Sequence, residues 1–387
     1  MKKTHLVFLF LLSFSIYFLT SNGNTPYDYF TRLGASFLKG QYWITQNPPW
    51  LSELVPGKNG MFFVIQPPLP AILAMPFIWL SQTIFHTPFP QQILSHLLGA
   101  GIVTLTYKLA SSQTKAKYLP IWTAILTGFG SIIWYLASTG SVWYLSQVSA
   151  CFFLLLAIYE SLTQKRLIIV SLCIGAAYLS RLHTILSLPF FLYLLRDKFK
   201  SPRQLISFFF PMSLFALFNF YYNYLRFNTI FDKGYFLIPG IYDEPWFSRG
   251  MLNIAYIPDH LKSLFLSFPK FLNHPPFIQP SWYGLAIWIT TPAFVFSLIP
   301  KIKQKKVLFS WISIALIFLV ISLRGGTGWT QFGYRYAVDF YPFLIYLTIL
   351  GVKKHGINKL AITLLLISVL VNLWGVLWIN KFNWVSY

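Results

Sequence analysis

Apolar residues run through this chain in long unbroken windows rather than in the two-residue alternation of a half-buried strand. The windows fall near 5–20, 69–85, 91–107, 118–137, 142–159, 167–179, 184–195, 204–225, 282–300, 307–323, 337–352 and 360–379. Several approach the roughly 20 residues needed to cross the hydrocarbon of a bilayer. Lipid offers a backbone no hydrogen-bond partners, so such segments satisfy their own N–H and C=O groups as helices. The pattern predicts an all-α polytopic membrane protein with about 11–12 transmembrane helices. Two polar interruptions are long, residues 21–67 and 226–281. Residues 1–387 then form one integral membrane domain with two long extracytoplasmic loops, the first opening on a short helix along the membrane surface.

Composition supports the pattern. At 56% hydrophobic and 10% charged over 387 residues, there is too little polar surface to cover a soluble globule of this size. A formal charge of +21 raises a nucleic-acid reading, but 18 of the 30 basic residues sit in short clusters between apolar windows. The clusters are Lys2-Lys3, Lys108/Lys115/Lys117, Lys165-Arg166, Arg196/Lys198/Lys200/Arg203, Lys301/Lys303/Lys305/Lys306 and Lys353/Lys354/Lys359. That distribution marks the cytoplasmic face of a membrane protein and excludes a nucleic-acid partner. Lys2-Lys3 and Leu6–Leu19 have the form of a signal segment, but no Ala-x-Ala pattern follows, so the first helix is expected to remain uncleaved. The two loops hold six of the nine acids: Asp28, Glu53, Asp232, Asp243, Glu244 and Asp259. Alternation places Ser138–Trp143, Ser180–Thr184, the second loop and Arg324–Tyr336 on the same outer face. One conflict of parity remains, because two crossings over 69–85 and 91–107 would bring Lys108–Lys117 outside. Either the segment from Pro67 to Pro76 (Pro67, Pro68, Pro70, Pro76) is re-entrant or broken, or the Lys108–Lys117 cluster breaks the rule and a segment within 118–195 is miscounted.

The chemistry is confined to a few ionisable residues. Asp28 precedes an amphipathic pattern (Phe30, Leu33, Phe37, Leu38) and reads equally as a helix cap and as a general base for an acceptor hydroxyl. Glu53, among prolines in the same loop, is a second acidic candidate with a structural role as its commoner alternative. Arg335 and Asp339 share the four-residue spacing of a helical ion pair. The functional alternative is that Arg335, with Arg324 and the Gly325-Gly326 turn nearby, holds a lipid-linked phosphate. Arg181 and His183 interrupt two apolar runs and offer either a phosphate contact or a snorkelling cation. Trp143, Tyr144, Trp282 and Tyr283 fit an interfacial aromatic belt or the wall of a sugar cavity. Asp243-Glu244 lacks an Asp-x-Asp pattern or a histidine, so no metal site is expected. Cys151 and Cys173 lie in apolar windows as packing residues, and no cofactor is indicated.

Taken together, Asp28 after the first span, Gln66-Pro67-Pro68-Leu69, Ser180-Arg181-Leu182 and Arg335-Tyr336 ahead of Pro342-Phe343-Leu344 resemble the GT-C membrane glycosyltransferases. The similarity is to their protein O-mannosyltransferase and aminoarabinose-transferase branch. The resemblance implies transfer of a sugar from a polyprenyl-phosphate donor to an extracytoplasmic acceptor (protein, lipid or glycan), without a metal and with inversion. It implies Asp28 as base with Glu53 in reserve, Arg335, Tyr336, Arg324, Arg181 and His183 around the substrates, and residence in the plasma (inner) membrane with the site on its extracytoplasmic face. In that superfamily an Asp-Glu pair often fills the first loop, whereas here Tyr29 follows Asp28. Two other classes share the arginines and aromatics: a transporter or flippase of lipid-linked sugars, and a non-catalytic scaffold. The first would show repeat symmetry, which this chain lacks; the second would tolerate substitution of Asp28 and Arg335.

Overall fold

The computed structural model describes residues 3–328 and 330–385; Lys2 of the first basic cluster and Trp329 lie outside the described residues. Fifteen α-helices succeed one another among them: α1 (Lys3–Leu19), α2 (Tyr29–Phe37), α3 (Leu69–Leu80), α4 (Gln91–Gln113), α5 (Leu119–Phe129), α6 (Ile133–Thr139), α7 (Val142–Leu162), α8 (Leu167–Ser180), α9 (Leu188–Leu195), α10 (Pro202–Phe227), α11 (Ile257–Phe265), α12 (Ile287–Thr290), α13 (Lys305–Ser322), α14 (Tyr341–His355) and α15 (Lys359–Val376). Two antiparallel ribbons are the only named strands described: β1 (Leu54–Pro56) with β2 (Phe62–Val64), and β3 (Lys270–Phe271) with β4 (Ile278–Gln279).

Six prolines mark where helices begin, while Pro76 and Pro211 lie inside α3 and α10. Pro70, Pro120, Pro189, Pro202, Pro258 and Pro342 stand in the first turn of α3, α5, α9, α10, α11 and α14, where no N–H is needed. Five helices among the described residues are long and apolar enough to cross a membrane unaided: α4, α7, α10, α13 and α15 with its continuation to Lys381. α5 and α6 form a sixth crossing, bent by 53° at Gly130-Ser131, a pairing that commonly kinks helices. The other traverses join short pieces. α9 continues a 3-10 turn over Leu182–Ser187, α14 continues one over Arg335–Asp339, and α12 runs into one over Pro292–Leu298. A side chain on Gly351 would overlap the carbonyl oxygen of Phe296, so glycine there lets α14 lie against the 292–298 turn. With α1 and α8 as shorter apolar helices, the chain runs between a lysine-rich end and a loop-bearing end, and it is a multi-pass membrane protein.

The parity conflict is resolved by α3. Gly34 of α2 packs directly on Ala71 and Ile78, so α2 lies along α3 instead of α3 departing across the bundle. Gln91, the first residue of α4, bonds the start of α2: its Oε1 accepts from the N–H groups of Phe30 (2.9 Å) and Thr31 (3.4 Å). Residues 69–85 therefore leave and return at one end of the bundle, as the re-entrant alternative requires. The Lys108–Lys117 cluster then falls at the same end as Lys353, whose Nζ bonds the Gln113 carbonyl. The 282–300 window is also corrected, because its first residues belong to the loop end and helix begins only at Ile287.

Candidate functional site

A cavity of about 680 Å³ opens at the loop end. Its walls come from four separated stretches: the first loop (Tyr27, Glu53), α6 with the start of α7 (Tyr135, Trp143, Tyr144), the second loop (Glu244, Trp246) and the 324–336 connection (Arg324, Arg335, Tyr336). No single stretch of sequence forms it.

Glu53 is the carboxylate built into this wall. It sits immediately before β1, and its backbone N–H donates to the Tyr29 hydroxyl at 3.1 Å, which ties the hairpin to α2. Its Oε2 accepts from Gln66 Nε2 at 2.7 Å and from Trp143 Nε1 at 2.8 Å. Both bonds fall on one oxygen, so the carboxylate is oriented while Oε1 takes no described hydrogen bond from the protein. Burial raises the Glu53 carboxyl above the usual carboxylate range, while the charges of Arg324 and Arg335 and the bonds from Trp143 and Gln66 pull the other way.

Opposite in charge are two arginines. Arg335 is 8% exposed, and its guanidinium stands over the rings of Tyr336 (4.8 Å) and Tyr144 (5.7 Å). Arg324 lies over Tyr235 at 3.9 Å, and its Nη1 donates to the Tyr336 hydroxyl at 3.3 Å. Among the described residues no carboxylate lies within salt-bridge distance of either. Their Nε–H donors are buried without partners. Buried cationic donors left this way are expensive unless an anion meets them.

Asp339 does not pair with Arg335. The segment Arg335–Asp339 is a 3-10 turn, in which residues four apart lie about a third of a turn away from one another instead of stacking. Asp339, fully buried, receives Arg181 Nη2 and His183 Nε2, each at 2.9 Å. Arg181 and His183 are thereby engaged by a carboxylate behind the cavity and do not line it. Arg181 still reaches the cavity's edge through Tyr336, whose ring lies 5.8 Å from its guanidinium. Gln147 of α7 adds a bond of 2.9 Å to the Arg335 carbonyl and fixes the same turn.

Asp28 occupies the cap position of α2 but makes no capping bond; Gln91 supplies that acceptor from 60 residues away. The Asp28 carboxylate instead pairs with Arg32 at 2.7 Å, with side-chain exposures of 23% and 25%. Tyr27, not Asp28, lines the cavity. Trp143 and Tyr144 line it as well, whereas Tyr283 faces a separate pocket and Trp282 faces neither. Gln66, Tyr235 and Gln91 carry no local sign of their roles; only the Gln66-Pro67-Pro68 motif pointed to its neighbourhood.

No protein-family model and no curated relative matches this chain. Solved structures do. ArnT from Cupriavidus metallidurans bound to undecaprenyl phosphate superposes with a TM-score of 0.57 at 13% identity over 95% of this chain. The same protein in its apo state gives 0.56 at 13% identity over 94%. An oligosaccharyltransferase from Archaeoglobus fulgidus, tethered to an acceptor peptide, gives 0.46 at 12% identity over 98% of this chain and 55% of its own. This chain spans 63% and 62% of the two ArnT chains. The chain therefore shares the fold of the two ArnT structures.

Proposed function

We propose that the chain transfers a sugar from a polyprenyl-phosphate carrier to an acceptor hydroxyl, with Glu53 as general base and Arg324 and Arg335 holding the phosphate. One observation carries the reading: a carboxylate with a free oxygen and two guanidinium groups without carboxylate partners share one cavity wall. ArnT, of the same fold, binds undecaprenyl phosphate, which is the class of anion these arginines suit.

The chemistry balances within those groups. Glu53 takes the acceptor's hydroxyl proton as the acceptor oxygen bonds the anomeric carbon. The bond from that carbon to the phosphate oxygen breaks, and the electron pair leaves with polyprenyl phosphate. The charge gained by the phosphate develops against Arg324 and Arg335 in a partly enclosed site, where fixed cations stabilise it most. Because the arginines already supply this charge, the reaction is read as metal-independent. Attack opposite the leaving phosphate inverts the anomeric centre. The reaction belongs on the extracytoplasmic face of the plasma membrane, since the lysine-rich end marks the cytoplasmic one.

The test uses the full chain in detergent, where no vectorial transport exists, with a panel of undecaprenyl-phosphate sugars and extracted envelope acceptors. Glu53→Gln is expected to lower transfer by about 10²–10⁴-fold, the usual worth of a positioned base. Undiminished transfer by that variant removes Glu53 from the mechanism. A base acts only when ionised, so with its pKa raised, activity falls as pH drops through a value above the ordinary ~4.3 of glutamate. Glu53→Gln should abolish that acid limb.

A further inference from the structure

Arg226, in the last turn of α10, is a buried cation that the proposed reaction does not use. It is 6% exposed, lines neither cavity, and among the described residues no carboxylate lies within salt-bridge distance of it. Unlike Arg324 and Arg335, it has no idle nitrogen. Nε reaches the Tyr222 carbonyl at 3.4 Å, Nη2 donates to Asn223 Oδ1 at 2.7 Å, and Nη1 donates to the carbonyl of Val64 in β2. Asn223 is itself fixed, since its Nδ2 donates to the Ile230 carbonyl at 3.2 Å and leaves Oδ1 for the arginine. The guanidinium lies over the rings of Tyr222 (3.9 Å) and Phe227 (4.5 Å), and it stands at a helix C-terminus, where the backbone dipoles favour a cation. Rings, carbonyls and helix end together offset the desolvation that would otherwise call for an anion. Arg226 is built to hold protein, not substrate.

What it holds is the hairpin of the candidate base. Glu53 comes directly before β1, Gln66 follows β2 by two residues, and the register pairs Leu54 with Val64. A two-stranded ribbon of three residues a side is marginal by itself, so its place depends on what grips its edges. Residues two apart on a strand turn their N–H and C=O groups to the same edge, and Phe62 and Val64 are such a pair. Phe62 is bonded both ways by Ile44, at 2.9 and 2.8 Å. Arg226 takes the Val64 carbonyl, the next place along that edge. The loop that follows α10 closes on the same corner, because a side chain on Gly234 would come within 2.9 Å of the Ile65 Cβ.

We propose that Arg226 is a positioning residue for Glu53: it fixes the outer edge of the β1–β2 hairpin from the end of α10, and with it the placement of the carboxylate and of Gln66. The inference rests on Glu53 acting as the base. Lysine in its place keeps the charge at the helix end but loses the planar fork that reaches Val64 and Asn223 together.

The test compares Arg226→Lys, Glu53→Gln and the double variant as full chains in detergent, with undecaprenyl phosphate as binding probe and the undecaprenyl-phosphate sugar that the unsubstituted chain turns over as donor. Arg226→Lys is expected to lower kcat by about 10–100-fold, as a small misplacement of a reacting group does. KM for the donor and retention of undecaprenyl phosphate should stay within about twofold, since the arginines of the cavity are untouched. In the Glu53→Gln background the same lysine should cost less than about twofold, because the group it positions has lost its function. Hydrogen exchange read by mass spectrometry should speed up by about tenfold or more over residues 53–66, as for loss of one charged hydrogen bond, with the spanning helices unchanged. Should Arg226→Lys not fold, Asn223→Ala carries the same measurements, since it keeps the cation and removes its guide. Unchanged exchange over 53–66 overturns the clamp. Exchange raised throughout the bundle makes Arg226 an ordinary fastening of α10 and overturns the positioning, as does a full kcat loss that persists in the Glu53→Gln background. Undiminished transfer by Glu53→Gln alone rejects the base and the catalytic half of the inference, while the exchange still decides the clamp, so the two failures are told apart.

Discussion

Two clusters of charge at the loop end contain arginine and carboxylate, and they are opposite in design. Behind the cavity, Asp339 is saturated by Arg181 and His183, each at 2.9 Å, with no exposed surface of its own. In the cavity wall, Glu53 is bonded by neutral donors, and Arg324 and Arg335 stack on tyrosines without a carboxylate partner. The first cluster has satisfied its charges internally and can only position its neighbours. The second leaves its arginines without a carboxylate partner, as the proposed phosphate-holding role requires. Tyr336 joins the two, with Arg181 and Arg335 near its ring and Arg324 on its hydroxyl.

The comparison is broken most directly by opening the closed cluster. Asp339→Ala leaves Arg181 and His183 without their shared anion in a buried site, a change worth about 3–5 kcal/mol. A large fall in the thermal midpoint of the detergent-solubilised protein is expected, and an unchanged midpoint would mean that Asp339 is no structural anchor. Arg335→Ala should do the reverse. It removes a guanidinium whose Nε has no protein partner, so folding should change little, while affinity for undecaprenyl phosphate falls about 10–100-fold, as for loss of a charged hydrogen bond of ~1.5–3 kcal/mol. A titration followed by native mass spectrometry reads that difference; loss of fold instead of affinity would place Arg335 with the closed cluster. The smallest effect belongs to Asp28→Asn. The pair with Arg32 is a quarter exposed on each side, and pairs of that kind contribute about 0–1 kcal/mol. Transfer within about threefold of the unsubstituted chain is expected; a loss comparable to that of Glu53→Gln would return the base to Asp28.

The contrast between Asp28 and Glu53 also shows where reading the chain stops. Both are acids of the first loop, and Asp28 has the clearer local context because an amphipathic helix follows it. Local context describes capping, yet the structure has no capping bond from Asp28 and pairs it with Arg32 instead. Glu53 has no such neighbourhood. Its meaning comes from Trp143, 90 residues later, and from Gln66 across a hairpin. The spacing of Arg335 and Asp339 misleads for a related reason, since four residues mean proximity only on an α-helix and this stretch is a 3-10 turn. The re-entrant course of 69–85 was one of two open solutions in sequence, and the Gln91 bonds to α2 select it.

Hydrophobic length, proline placement and lysine distribution are one-dimensional quantities. They determine by themselves that this chain is a helical, multi-pass membrane protein with six of its nine acids in two loops, because bilayer thickness and backbone hydrogen bonding act on each segment separately. Which carboxylate is left with a free oxygen and which arginines are left without an anion are properties of pairs. Pair interactions depend on distance and enclosure, and the packing of α2, α7 and the two loops decided them.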